Sequence, residues 1–254
     1  MSSSIKLVVI DYQSGNLRSV AKALESVGVS PLVTGDAAQI GTADAVVFPG
    51  VGAGPAAMEE LRRRGLVDPI REYLASGRPF LGICLGLQLL LERTEEGNAD
   101  CLGSIAGRVK RLPGGMKVPH MGWNSVRFQR QHPVFEGIPQ DSHFYFVHSY
   151  YAAPADDTWV AGTTDYGVSF CSIYARDNLV ATQFHPEKSG RLGLRIYENF
   201  VNLAGQESAL SGQHSATKIP PTPLLQRGAM ERLLYRKIKG DFHAALIAAG
   251  TPVK

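Results

Sequence analysis

Residues 79–92 read PFLGICLGLQLLLE, and the reading of this stretch decides the fold. A short apolar run leads without a break into Gly82-Ile83-Cys84-Leu85-Gly86, and a leucine-rich helical pattern follows. Strand, sharp turn and helix in that order describe a nucleophile elbow, in which the turn exposes one side chain and only glycine fits the crowded positions on either side. A strand that feeds a helix is also half of a βαβ unit, so the segment predicts an α/β sheet.

The sequence on either side supports this. IKLVVI (5–10) reads as a buried strand, and Leu17, Val20, Leu24 and Val27 then recur at helical spacing up to Gly28, a residue suited to a helix C-terminus. PLVT (31–34), DAVVF (44–48) and RPFLGI (78–83) are further strands, with helices expected over 55–63, 67–75 and 84–92. The expected architecture is a three-layer α/β fold with a mostly parallel central sheet and helices on both faces. From about Arg108 the pattern changes to hairpin-like segments, VKRL, NSVRF, HFYFVHSYYA, WVAGTT, VSFCSIYA and LVATQF, which predict an antiparallel extension of the sheet. Leu192, Ile196, Phe200 and Leu203 mark a closing amphipathic helix. Residues 205–218 turn to Ser, Gln, Gly and Thr and read as a linker, followed by IPPTP and by a basic amphipathic helix through Met230, Leu233, Leu234, Ile238 and Phe242. Two parts are therefore expected, a domain over 1–206 and a tail over 207–254.

Composition narrows the function classes. Of the 254 residues 44% are apolar and 19% charged, a globular balance that excludes a disordered chain. The net charge of +3 divides into −1 before residue 207 (19 basic, 20 acidic) and +4 after it (7 basic, 3 acidic). The body thus lacks the clustered positive charge that nucleic-acid binding needs. Cys84, Cys101 and Cys171 are an odd number without C-x-x-C spacing, which argues against a disulfide framework and a thiolate zinc site and favours a reducing compartment. No metal or cofactor is expected. The apolar stretch 5–10 is too short for a signal-peptide core, and the run Leu81–Leu91 falls well short of the roughly 20 residues that span a bilayer. The expectation is a cytoplasmic protein with no membrane span.

Cys84 is the candidate nucleophile, because a helix N-terminus favours a thiolate and offers the next backbone N–H to a developing oxyanion. The plainer reading is a small buried apolar residue. A thiol needs a base and the base an orienting group. In ATQFHPEKS (181–189), His185 and Glu187 stand two apart at a strand end, so both face one side of an extended chain. His148 and His120 are the runners-up, and neither has a carboxylate two residues away. FPGVGAGPAAM (48–58) fails the G-x-G-x-x-G and phosphate-loop patterns, which leaves a glycine loop able to turn a backbone N–H toward an oxyanion, or an ordinary tight turn.

GICLGLQLL, FHPEKS and PGVG together resemble the class I, triad-type glutamine amidotransferases. Within that family DYQSGNLRSV, PGVGAG and VPHMGWN are most similar to the glutaminase subunits of imidazole glycerol phosphate synthases, over roughly residues 5–204. The resemblance implies Cys84 as nucleophile, His185 as general base and acid, and Glu187 as its orienter. It implies an oxyanion hole from Leu85 N–H and the Val51–Gly52 region, and substrate contacts from Gln88, Ser149 and Tyr150. It also implies glutamine as substrate and a (β/α)₈ cyclase as heterodimer partner, approached near Asn16, Trp123 and Lys188. Plainer readings make Gln88 a solvated helix residue, Tyr150 a sheet aromatic, Asn16 a helix cap and Trp123 a core residue. Two features depart from the pattern: residues 207–254 have no counterpart, and His143 stands where an aromatic is expected. The alternatives are another glutaminase, such as that of anthranilate synthase, where P-G-P-G is usual at the loop, or an inactive binding module, against which the intact Cys84, His185 and Glu187 argue.

Overall fold

The computed structural model describes residues 5–214, so the expected linker beyond 214 and the basic amphipathic tail lie outside the described residues. The strands are β1 (Leu7–Ile10), β2 (Leu32–Thr34), β3 (Ala45–Gly50), β4 (Phe80–Cys84), β5 (Arg93–Thr94), β6 (Ala99–Asp100), β7 (Gly107–Arg111), β8 (His120–Phe128), β9 (Ser142–His148), β10 (Tyr150–Pro154), β11 (Val160–Asp165), β12 (Ser169–Arg176) and β13 (Leu179–Thr182). The helices are α1 (Leu17–Ser26), α2 (Ala37–Gly41), α3 (Gly54–Arg63), α4 (Val67–Ala75), α5 (Leu85–Leu89) and α6 (Gly190–His214).

The central sheet runs β2-β1-β3-β4-β13 with every neighbour parallel. Successive side chains on these strands enter opposite layers, as the period of two requires. Val8, Ile10, Val46, Phe48 and Phe80 pack on one face against Met58 and Leu61 of α3 and Ile70 and Tyr73 of α4. Leu7, Val9, Val47, Leu81 and Ile83 pack on the other against Val20 and Leu24 of α1 and Ile196, Tyr197 and Phe200 of α6. These are the expected three layers, and they explain why the strands read as continuous apolar runs.

Beyond β13 the neighbours turn antiparallel through β12, β10 and β7, and β11 and β8 carry the extension on to β9. The single apolar run HFYFVHSYYA is divided at Ser149 between β9 and β10. Two expectations change. The helix predicted over 84–92 ends at Leu89, because the carbonyls of Leu89, Leu90 and Leu91 are taken by backbone N–H groups of residues 102–105. Every residue from Leu85 to Leu91 is buried, so no solvent face was present to favour a longer helix. The closing helix continues to His214, through the first part of the segment read as linker, since Ser and Gln there cost a helix only tenths of a kcal/mol each, up to about 0.7.

Candidate active site

The site lies at the carboxyl ends of the parallel strands, where open α/β sheets bind ligands. Register places Gly50 of β3 beside Cys84 of β4, and Thr182 of β13 beside Ile83. Three segments far apart in sequence therefore end together.

Cys84 closes β4 and caps α5 with φ 54° and ψ −107°, a left-handed conformation that costs a non-glycine residue of order 1–3 kcal/mol. Close packing holds it there. A Cβ on Gly86 would stand 1.9 Å from the Phe48 carbonyl oxygen, and one on Gly50 would stand 2.3 Å from the Tyr12 hydroxyl and 2.9 Å from Leu85 Cβ. Gly86 thus admits no side chain on the helix side of the elbow, and on the strand side a Cβ on Gly82 would stand 3.1 Å from Ala181 Cβ and 3.3 Å from the Gly86 carbonyl, a tight fit. The helix behind Cys84 is only five residues long, so its dipole is a smaller contribution than a full helix offers.

His185 and Glu187 lie on the short turn after β13, both almost fully buried, with His185 Nδ1 at 2.7 Å from Glu187 Oε1. Burial opposes charge on the imidazole, but the Cys84 sulfur and the Glu187 carboxylate outweigh it and raise the pKa to about 10. Burial likewise disfavours the Glu187 carboxylate, and the His185 hydrogen bond and charge outweigh that and lower its pKa. His185 Nε2 is buried without a hydrogen-bond partner of ordinary geometry, and its ionisable neighbour is Cys84. The backbone behind the pair is pinned. His185 N–H donates to the Tyr145 carbonyl at 2.9 Å, and Ser189 Oγ donates to the His185 carbonyl at 2.7 Å.

The groove at this place is a cavity of about 390 Å³ lined by Val51, Gly52, Cys84, Leu85, Gln88, Glu96, His148, Ser149, Tyr150 and Lys188, among others. It gathers the residues expected at the oxyanion and substrate positions. Gln88 is 7% exposed, which removes the solvated-helix reading. Both of its N–H groups are used, one donating to the Tyr150 carbonyl at 2.6 Å and one to Gln183 Oε1 at 3.1 Å. Its Oε1 is thus the atom left to accept from a ligand. Gly52 has φ +96°, open to glycine and not to a side chain without strain. A larger cavity of about 660 Å³ along residues 128–140 holds none of Cys84, His185 or Glu187.

The expected interface residues divide. Asn16 makes no side-chain cap, and its Nδ2 donates to Glu187 Oε1, so it is a second anchor for the triad carboxylate. Trp123 is 57% exposed on β8, edge-on to Tyr145, and the core reading is withdrawn. Lys188 places Nζ 5.9 Å from the Tyr145 ring centroid at the cavity edge. His143 is exposed on β9 and outside the cavity lining. His120 and His148, the runner-up bases, are held below the usual histidine range by burial, at about 4 and about 3, and they bond each other instead.

Two residues escaped the sequence reading. Gln183 is fully buried, with Nε2 donating to Cys84 Sγ at 3.7 Å. It precedes His185 by two, so the face-sharing argument applied to Glu187 could have found it. Glu96 lines the cavity, with Oε2 accepting Gly54 N–H at 2.7 Å, and sits in a turn with no local signal. Among the described residues no group of three or more His, Cys, Asp or Glu could hold a metal ion, and no helix is long and apolar enough to cross a membrane.

The glutamine amidotransferase class-I family model matches residues 8–203. The chain is a class I glutamine amidotransferase. Among curated amidotransferase relatives, imidazole glycerol phosphate synthase subunit HisH of Syntrophotalea carbinolica is 54% identical over 205 residues, covering 78% of this chain and 100% of the relative. The protein of that name from Dehalococcoides mccartyi strain CBDB1 is 50% identical over 199 residues, covering 78% of this chain and 97% of the relative. The fold is also that of a glutamine amidotransferase from Thermotoga maritima, with a TM-score of 0.57 and 18% identity, covering 86% of this chain and 87% of the other. This amidotransferase domain accounts for the chain up to about residue 203.

Proposed function

We propose that the chain is the glutaminase subunit of an imidazole glycerol phosphate synthase, hydrolysing glutamine to glutamate and handing ammonia to a cyclase partner. The observation that carries the reading is the buried Glu187–His185 pair, whose free Nε2 has the thiol of the strained Cys84 as its ionisable neighbour. The two HisH relatives, matched over nearly their whole length, support the choice of synthase.

In this mechanism the Cys84 thiolate attacks the carboxamide carbon of glutamine, and the carbonyl becomes an oxyanion held by Leu85 N–H and one N–H of the Val51–Gly52 segment. The His185 imidazolium gives its Nε2 proton to the departing nitrogen, which leaves as ammonia, and a thioester remains. Neutral His185 then takes a proton from water as it attacks, and returns it to Cys84 when glutamate leaves. Glu187 keeps the ring in the tautomer that aims Nε2 at the chemistry. Gln88 Oε1 accepts from the substrate ammonium, the Glu96 carboxylate supplies counter-charge, and Ser149 and Tyr150 form the wall beside it.

Ammonia released into water becomes ammonium, so the site must open toward the enzyme that consumes it. The exposed Met121 and Trp123 on β8 supply an apolar surface close to Lys188, which suits a (β/α)₈ cyclase partner. Three buried free cysteines fit a reducing, cytoplasmic setting. The test is glutamine hydrolysis with and without the cyclase and its nucleotide substrate. Turnover should be slow alone and rise sharply with both. Cys84→Ala should abolish glutamine-dependent synthesis and spare synthesis from ammonium salts. Turnover indifferent to the cyclase removes the synthase assignment, and glutamine activity in the alanine variant removes Cys84 as nucleophile.

A further inference from the structure

An unbroken line of hydrogen bonds runs from β8 to the wall of the substrate cavity, and its direction is set at both ends. At the outer end Asn124 Oδ1 accepts Ser125 N–H at 2.8 Å, which leaves Nδ2 to donate to the Asp165 carbonyl at 3.0 Å and to His120 Nε2 at 3.3 Å. At the inner end His148 Nδ1 lies 2.9 Å from the Tyr150 carbonyl, which can only accept. His148 therefore carries its proton on Nδ1 and a lone pair on Nε2. The 2.9 Å contact between His120 Nδ1 and His148 Nε2 then needs the proton on His120, whose Nε2 lone pair faces the Asn124 donor. Every atom in the line is satisfied by one arrangement only, with both rings neutral and protonated on Nδ1. A proton added to His148 would turn His120 to its other tautomer and set two donors face to face at Asn124.

The rings have no room to turn. His120 is stacked between Tyr166, with centroids 3.9 Å apart, and Phe146 at 4.9 Å, and His148 stands edge-on to Phe170 at 5.1 Å. The line ends on the carbonyl that also receives Gln88 Nε2, so His148 and Gln88 between them occupy both lone pairs of Tyr150. An amide flip of Gln88 would set its oxygen against that carbonyl and against Gln183 Oε1. The fixed Tyr150 carbonyl, the nearer of these two acceptors, thus helps keep Gln88 Oε1 turned to the cavity.

We propose that His120 and His148 are positioning residues whose paired Nδ1–H tautomers hold the Tyr150 carbonyl and so orient Gln88 as the acceptor for the α-ammonium group of glutamine. The proposal rests on the glutaminase reading given above. Two measurements test it. Long-range ¹⁵N–¹H imidazole spectra of the intact chain near pH 7 should show both rings neutral with the proton on Nδ1, and an Nε2–H tautomer or an imidazolium at either ring overturns the arrangement without reference to activity.

The second measurement is steady-state glutamine hydrolysis by the complex with the cyclase and its nucleotide. In His148→Asn the amide nitrogen can take the place of Nδ1, whereas in His148→Gln it reaches only the place of Nε2. KM for glutamine should rise about tenfold in His148→Gln, the cost of about one hydrogen bond, and less than about threefold in His148→Asn, with kcat within about threefold in both. Equal KM values in the two variants, or loss of kcat at unchanged KM, overturn the positioning role. If the variants do not fold, the tautomer spectra still decide. A wild-type complex that makes product from ammonium salts but not from glutamine defeats the glutaminase reading instead, a result separate from either outcome above.

Discussion

Glu187 is held by three groups at once: His185 Nδ1, Asn16 Nδ2 and, at 3.4 Å, the Tyr197 hydroxyl. Its charge counters a buried imidazolium, so Glu187→Gln keeps the shape and removes the reason for His185 to stay protonated. The variant should lose glutaminase kcat by about 10³-fold while ammonium-dependent synthesis by the complex is kept, which steady-state assays with the two nitrogen sources will read. A loss of less than about tenfold would assign the orientation of His185 to its backbone contacts with Tyr145 and Ser189 instead. The Cys84–His185–Glu187 set was legible in the chain because its signals are local: two glycines around a cysteine, and a carboxylate two places from a histidine. Asn16 was expected near the cyclase interface, with a helix cap as the plainer reading, and its bond to Glu187 was not legible because that partner lies 171 residues away.

At the level of elements, the elbow between β4 and α5 depends on an approach that admits no side chain. Gly86→Ala puts a methyl group 1.9 Å from the Phe48 carbonyl oxygen, so either β3 or α5 must move. The variant should lose about 3 kcal/mol or more of stability, read by denaturant unfolding, and a loss under about 1 kcal/mol would show that the elbow tolerates repacking. The β8–β9 ribbon carries a pH dependence. His120 and His148 have folded pKa values of about 4 and about 3, below the unfolded value of about 6.5, because burial disfavours their charge. Below about pH 6.5 the unfolded chain takes up protons that the folded rings refuse, so stability falls with pH down to their folded values, by up to about 1.4 kcal/mol per pH unit for each ring. Thermal midpoints between pH 7 and pH 4.5 should fall more steeply in the wild type than in a His120→Gln, His148→Gln double variant, and parallel curves would exclude the rings as the source. The strands and most helices were legible from periodicity, but the early end of α5 was not. Its cause is a loop at 102–105 that takes the helix carbonyls, and no periodicity within 84–92 reports that loop.

For the whole molecule, the opposite faces of the parallel sheet are closed by α3 and α4 on one side and α1 and α6 on the other, and the family model stops at residue 203. The basic excess of the chain falls almost wholly after residue 206. A chain ending at His214 should therefore match the full chain in glutamine turnover with the cyclase, within about twofold. A larger loss, measured at saturating cyclase, would give residues 215–254 a part in catalysis or in partner binding.

The amino-acid sequence by itself determined the α/β alternation, the elbow at Cys84, the His185–Glu187 pair and, through several short separated motifs, the family, because each signal is local in the chain. Only the tertiary structure decided which atoms those groups meet. Gln183 reaches Cys84 across 99 positions, Gln88 reaches the Tyr150 carbonyl across 62, and His120 meets His148 across 28. Such contacts follow from β4 pairing with β13, from β8 pairing with β9, and from α5 packing beside β10. Strand pairing is fixed by burying two faces of one sheet at once, and no stretch of sequence carries that condition alone.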